Sequence, residues 1–384
     1  MRRALEATEV FALAAPSVVA VEWRRRRSPP HTPDRAQKMA QKMAQLRIPH
    51  GPLTLLVIAQ ALVACRPGAD SGGAPPPDDP SPPLTVVSFN TGTTESMGHD
   101  AGPDDGYTEA HAATSDAWYG DGLAWRPAID ATTRFLAEVQ PELVAFQEIF
   151  HADRCADIPD AHHDDFVCEG WAPGDPTVTQ QVLGAGYQVA CHPGKDDKCL
   201  AVRTDWGRIR GCDGELCLEG LAGAAVDGCG SGARVARAVI EDADGHKQLT
   251  VVSVHGTSGV SAEEQGCRIA QIEQVFDDLG DGAPGTSGPR NLVLGDLNTD
   301  PGRFSGFDAS AAAWVERVDG SELAFISAVG PDAPGSYQGL ADIDHVLSDA
   351  HAGACWHAGV DPHPSVIDAV YFDHKPVVCE LTPD

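Results

Sequence analysis

Four stretches of this chain share one shape. LTVVSFN (84–90), ELVAFQE (142–148), LTVVSVH (249–255) and NLVLGDLN (291–298) each run apolar and β-branched or aromatic. Each then stops on a side chain that can bind a metal or move a proton: Asn90, Glu148, His255, and Asp296 with Asn298. Runs of this composition read as strands. A strand also opens at Ile343-Asp344-His345-Val346-Leu347, and the last one follows Asp373-His374. Any single polar stop is explained by a turn, because Asn, Asp and Gly favour turns. Six in one chain constrain it more, since ligands collect where strand ends meet a crevice. Alternation along a strand sends Asp296 and Asn298 to one side and Leu297 to the other. His345 points away from Asp344 by the same rule.

The remaining elements fill in the fold class. Arg126 to Val139 has helical spacing and is broken by Pro141; Glu263 to Leu279 is amphipathic. A short helix end and a strand are expected around Gly184 and Gly186, with strands over Cys199–Thr204, Ala233–Ile240 and Pro376–Leu381. Strands and helices mix without strict βα alternation or internal repeat, which predicts α/β layers on mixed sheets. Thr91 to Asp121 is a long polar stretch with several His and Asp. It is read as a surface loop, with a cleft-shaping insertion or a calcium loop as alternatives. His162-His163-Asp164-Asp165 is treated the same way.

The N-terminal 83 residues read as address and tether. LTLLVIAQALVA (53–64) is apolar but shorter than the roughly 20 residues that span a bilayer. Lys42 and Arg47 precede it and Leu62-Val63-Ala64-Cys65 closes it, the pattern of an export signal. The closing Cys resembles the lipobox of bacterial lipoproteins, with Cys65 the acylated first residue of the mature chain. Residues 66–83 are rich in Pro, Gly, Asp and Ser and read as a disordered tether. Residues 1–38 fit no signal and are read as a start-codon misassignment; Arg24 to Arg27 offer a nucleic-acid arm as the alternative.

Cysteine usage agrees with export. Eleven cysteines leave ten once Cys65 is set aside, and an even set outside the cytoplasm reads as disulfides of unreadable connectivity. Paired CxxC motifs, the mark of structural zinc, are absent. Charge narrows the partner. The chain carries −29, and residues 1–64 hold ten Lys/Arg against four Asp/Glu, so removing them leaves −35. That acidity argues against broad phosphate neutralisation as a binding mode, whereas a bound metal would supply positive charge locally.

The segments SFN (88–90), FQEI (146–149), VSVHG (252–256), GDLN (295–298), IDHVL (343–347) and DHKPV (373–377) together resemble the endonuclease/exonuclease/phosphatase superfamily of metal-dependent phosphoesterases. Its branches include deoxyribonucleases, inositol polyphosphate phosphatases and bacterial sphingomyelinases. The resemblance spans residues 84–382 and implies a four-layer α-β-β-α sandwich of two packed mixed sheets, helices outside, with the site at one sheet edge. It implies a domain over 84–384 that is a monomer. It implies Mg²⁺, or Mn²⁺ or Ca²⁺, held by Glu148 and Asn90, with Asp373 facing it directly or through water. His374 would be general base or hydrogen-bond partner at the attacked phosphate, paired with Asp344. Asp296 would orient or deprotonate the water, Asn298 would hold a phosphoryl oxygen, and His255 would contact phosphate and assist the leaving group. Tyr337 packs rather than reacts.

One position departs from the pattern. Some branches carry an acidic metal ligand two residues after the strand-end Asn; here it is Gly92, so a metal leans on Glu148. The expectation is an exported phosphodiesterase, lipid-anchored or secreted and slightly nuclease-like. The alternatives are a phospholipid, sphingomyelin-type or small-molecule phosphodiesterase, or a non-catalytic cell-surface binding lipoprotein on the same fold. Against the last, every acid, base and amide position is filled.

Overall fold

The computed structural model describes residues 83–93, 106–242, 248–366 and 371–383, all within one of the chain's two compact units, Ala74–Asp384. The signal, the lipobox with Cys65, the tether and His99 to Asp105 lie outside the described residues.

Thirteen strands follow in order: β1 Leu84–Asn90, β2 Leu143–Gln147, β3 Tyr187–His192, β4 Lys195–Arg203, β5 Arg208–Ile209, β6 Leu216–Cys217, β7 Val235–Glu241, β8 Gln248–His255, β9 Asn291–Asp296, β10 Ala324–Phe325, β11 Asp344–Ser348, β12 His351–His357 and β13 Val377–Pro383. They make two mixed sheets, β12-β13-β1-β2-β4-β3-β6 and β10-β11-β9-β8-β7-β5. The pairs β1/β2 and β8/β9 are parallel, and the strands flanking them are antiparallel.

Strand alternation explains why these runs are apolar throughout. Val86, Leu143, Ala145, Leu200, Ala236, Val251, Leu292, Leu294 and Val346 face inward and join one core between the sheets. Their neighbours face outward. Val87, Phe89, Val144 and Phe146 meet the helices Arg126–Val139 and Val178–Leu183; Val252, Val254 and Val293 meet Ala262–Phe276 and Ala309–Asp319 through Ile272, Val275 and Trp314. The result is the four-layer α/β sandwich. Strands buried on both faces lose the polar alternation of a half-solvated strand. Leu294, fully buried in the inner core, would cost about 2–5 kcal/mol on truncation to Ala.

Several expectations need correction. The site is not at a sheet edge; it sits at the ends of central strands of both sheets. The helix expected to Leu279 stops at Phe276, though Leu279 is buried. The strand β12 and the helix Ala309–Asp319 were not expected. Residues 106–121 are not a plain surface loop: they contain a helix at Glu109–Thr114, capped by Thr108, and bury Tyr107 and Tyr119 in the outer core.

All ten cysteines pair, as Cys155–Cys168, Cys191–Cys199, Cys212–Cys217, Cys229–Cys267 and Cys355–Cys379. That leaves no described thiol for zinc and fits folding in an oxidising compartment. No helix among the described residues is long and apolar enough to cross a membrane.

Candidate active site

Parallel strands bring their C-terminal ends to one end of the sandwich, and antiparallel neighbours bring their starts. β1 delivers Asn90, β2 delivers Glu148 just past its end, β8 delivers His255 and β9 delivers Asp296. Asp344, first residue of β11, pairs with Asp296 in register, and Arg234 lies just before β7, its carbonyl accepting from His255 N at 2.8 Å. Asn90, His255, Asp296 and Asp344 fall on the same strand face as the inner core residues, so that core turns polar at its open end.

Asp296 is the hub. Asn90 Nδ2 donates to its Oδ2 at 2.9 Å, Asn298 Nδ2 donates to the same oxygen at 2.8 Å, and Asn298 N donates to Oδ1 at 2.6 Å. Asn298 does not reach Asp296 by strand alternation. The strand ends at Asp296, and Asn298 turns back through a left-handed φ of 52°. Its second amide hydrogen goes to the Gly256 carbonyl at 3.1 Å. Both are thereby committed within the protein, so Asn298 supports Asp296 rather than offering a free donor.

Asp344 Oδ2 accepts from His374 Nδ1 at 2.6 Å, leaving Nε2 3.9 Å from Asp296 Oδ2 and 3.9 Å from Asp373 Oδ1. Ser336 Oγ accepts the backbone N–H groups of Ile343 and Asp344, and Tyr337 packs its ring 5.0 Å from that of His374. Burial opposes charge on His374, but Asp344, Asp296 and Asp373 outweigh it and raise its pKa to about 10. Burial together with the Asp344 charge raises Asp296. Asp344 is held low: burial works against its charge, and His374 overrides that.

Across the site, His255 Nε2 lies 3.2 Å from Glu148 Oε1 and 3.7 Å from Asp296 Oδ2. Burial and the nearby Lys198 lower His255 to about 4, so it is neutral at pH 7. Glu148 takes a left-handed φ of 58°, which turns it sharply out of β2. Its side chain keeps 35% exposure; burial raises its pKa, but His255, Lys198 and His374 bring it down to about 2.

The donor set suits a hard divalent cation. A Cβ on Gly92 would lie 2.2 Å from Glu148 Oε2 and 3.1 Å from Asn90 Oδ1, so both oxygens close on the space that this glycine leaves. Asp373 Oδ1 is buried without a hydrogen bond, 3.9 Å from His374 Nε2, and burial raises the carboxyl's pKa to about 6. Asp296, Asp344 and His374 also offer three ligand atoms within 4.8 Å of one another. Within that trio Asp344 Oδ2 and His374 Nδ1 share the 2.6 Å hydrogen bond, while Asp344 Oδ1 has none and His374 Nε2 faces Asp296.

Two basic residues and a histidine at this end were not expected. Lys198, 2% exposed, lies before the apolar run of β4 and pairs with Asp197. Arg234 lies just before β7 and His192 ends β3, both on the His255 flank. Their signal was present in KDDKCLAVR and GARVARAVI, but a base beside an apolar run reads as a solvated strand end.

Comparison with protein-family models and with curated proteins finds no match. Among solved structures, the human Nocturnin catalytic domain with bound sulfate is 13% identical, with 79% of this chain and 94% of that one covered at a TM-score of 0.47. A mannosyl-6-phosphatase of Bacteroides thetaiotaomicron is 16% identical over 78% and 99% at 0.45. A functionally unknown conserved protein from Enterococcus faecalis is 11% identical over 78% and 100% at 0.46.

Proposed function

We propose that this protein is a metal-dependent phosphoesterase of the endonuclease/exonuclease/phosphatase type that hydrolyses phosphodiester bonds. The observation that carries the reading is the buried Asp344–His374 pair, its Nε2 3.9 Å from both Asp296 and Asp373, with Asn90, Glu148 and His255 at the neighbouring strand ends. Hydrolysis needs a base for water, positive charge against the phosphoryl oxygens and support for the leaving oxygen.

Asp296, with its raised pKa and three amide donors, is the base that takes the proton of the attacking water. His374, charged through Asp344, donates Nε2–H to a phosphoryl oxygen; of the two roles open to it, donor rather than base, this is the one its raised pKa supports. His255, neutral and backed by Glu148, stands on the opposite flank beside the leaving oxygen. Asn298 positions Asp296. Glu148, Asn90 Oδ1 and Asp373 would hold Mg²⁺, which supplies positive charge against the phosphoryl group.

Nuclease-like activity is the first choice of substrate. Lipid phosphodiesters are the second, favoured by Val260 and Leu340, 88% and 73% exposed on the loops that follow His255 and accompany Tyr337. The paired cysteines support an exported protein, and anchoring at Cys65 is tested by Cys65→Ser, which should release it from membranes. The test of function incubates the full chain and Mg²⁺ or Mn²⁺ with plasmid DNA, RNA, sphingomyelin vesicles and bis-nitrophenyl phosphate. Turnover should drop about 10²–10⁴-fold in His374→Ala. A metal-bound protein that turns over none of the four overturns the reading and returns the chain to a binding role.

A further inference from the structure

An acidic chain that binds a phosphoester must concentrate its few bases where the anion sits. The only lysines among the described residues are Lys195, Lys198 and Lys375. Lys375 follows His374; Lys195 and Lys198 stand on β4, beside Glu148 and the His255 flank. Ile149 N donates to the Asp197 carbonyl at 3.0 Å, which fixes this part of β4 against Glu148. Lys198 lies on the same face of β4 as Leu200, so it points into the inner space that holds the site.

These bases are under-used. Buried Lys198 has three N–H donors and one acceptor, Asp197 Oδ1 at 3.1 Å. Arg234 reaches only the carbonyls of His255 and Gly256, at 3.5 and 3.3 Å, and its Nε is buried with no hydrogen-bond partner. His192, 1% exposed, gives Nδ1 to the Ala233 carbonyl at 3.1 Å and leaves Nε2 buried without a partner. Lys198, Lys195 and Arg234 face Asp197, Glu148 and Asp296, so what marks the patch is its unpartnered polar atoms rather than its net charge. Unsatisfied buried donors are costly, which makes such a patch poor as structure and useful as a site.

We infer that Lys198, Arg234, Lys195 and His192 form an anion subsite beside His255 that takes a second phosphate group of the substrate. The inference rests on the proposed function and narrows it. The substrate carries a phosphate next to the one attacked, as a nucleic-acid chain or a bisphosphorylated polyol does. A zwitterionic choline headgroup, with a quaternary cation in that position, is repelled. Lys198 and Arg234 donate to the phosphate oxygens, and His192 Nε2 accepts the hydrogen of a singly protonated phosphate.

The test is calorimetric titration of the full chain in Mg²⁺ with adenosine 3′,5′-bisphosphate, adenosine 5′-monophosphate and phosphocholine. The bisphosphate should bind about tenfold or more tighter than the monophosphate, the scale of one charge-assisted contact pair. Arg234→Gln and Lys198→Met should each erase most of that advantage, read as the ratio of bisphosphate to monophosphate affinity within the same variant. Inositol 1,4-bisphosphate distinguishes a polyol from a nucleoside carrier; an advantage over the monophosphate with either supports the subsite. Equal affinity for mono- and bisphosphate, phosphocholine binding as tightly as the bisphosphate, or an advantage that survives both substitutions overturns it. Should Lys198→Met fail to fold, the half-buried Arg234→Gln reads the same quantity. Binding needs no turnover, so a bisphosphate advantage without hydrolysis would overturn the phosphoesterase reading alone.

Discussion

Replacing Asp344 with asparagine keeps the shape of the site and removes one charge that two neighbours feel in opposite ways. His374 is raised to about 10, with Asp344, 2.6 Å from Nδ1, as the main attractive influence. Asp296 is raised by burial and by repulsion from the same carboxylate. An opposite charge at this range shifts a pKa by about 1–3 units, or about 1.4–4 kcal/mol of preference for the charged imidazole. In Asp344→Asn both groups therefore titrate lower: His374 loses its attractor and Asp296 its repeller.

The consequence is specific. A pH–rate profile with Asp296 on the acid limb and His374 on the alkaline limb should move to lower pH as a whole, not simply narrow. Its height should drop about 10²–10⁴-fold, because asparagine no longer holds the imidazole charged with Nε2–H facing the substrate. The assay is kcat/KM for bis-nitrophenyl phosphate between pH 5 and 10, with the His374 ring titrated by NMR in the same variant. Limbs that stay in place, or that move in opposite directions, would refute the assignment of base to Asp296 and donor to His374. So would a double variant, Asp344→Asn with His374→Ala, that loses activity additively, because groups acting as one unit do not add.

Other perturbations are as sharply directed. A methyl on Gly92 meets Glu148 Oε2, so Gly92→Ala should weaken Mg²⁺ binding about tenfold or more by calorimetry; unchanged affinity would remove Glu148 and Asn90 from the metal site. Gly295 has φ 146°, and a Cβ there would lie 1.9 Å from the Val254 carbonyl oxygen, so Gly295→Ala should cost at least about 2–3 kcal/mol in denaturant unfolding. In metal-free protein the His374 contribution is full below its unfolded pKa near 6.5 and is lost as pH rises through about 10; wild type should lose stability over that window relative to His374→Gln, and parallel curves would count against the pair. Cys229–Cys267 closes the longest loop, 38 residues apart in sequence, so replacing both with Ala should cost about 2–4 kcal/mol, more than removing Cys212–Cys217 across 5.

The candidate site was legible because strand geometry makes it so. A strand buried on both faces is apolar until it leaves the core, and its first polar residue marks the open end. Asn90, His255 and Asp296 follow that rule once the small buried Ser88 and Ser253 are set aside, and the register Asp344↔Asp296 brings the fourth in from an antiparallel partner. The bases escaped because the rule runs one way. Lys198 enters its strand from the site rather than leaving towards it, and a lysine before an apolar run carries no mark of being buried. Asn298 shows a second limit: period-two alternation gave the right side for the wrong reason, since a left-handed turn, not the pleat, returns its amide to Asp296. The helix Ala309–Asp319 was hidden by composition. Its apolar face rests on Trp314, Val318 and alanines, too thin a stripe to stand out until Phe276 and Leu323 pack against it. The subsite inferred beside His255 shows a further limit: Lys195, Lys198 and His192 stand on the seven-stranded sheet and Arg234 just before a strand of the six-stranded one, and nothing in either stretch alone marks them as meeting.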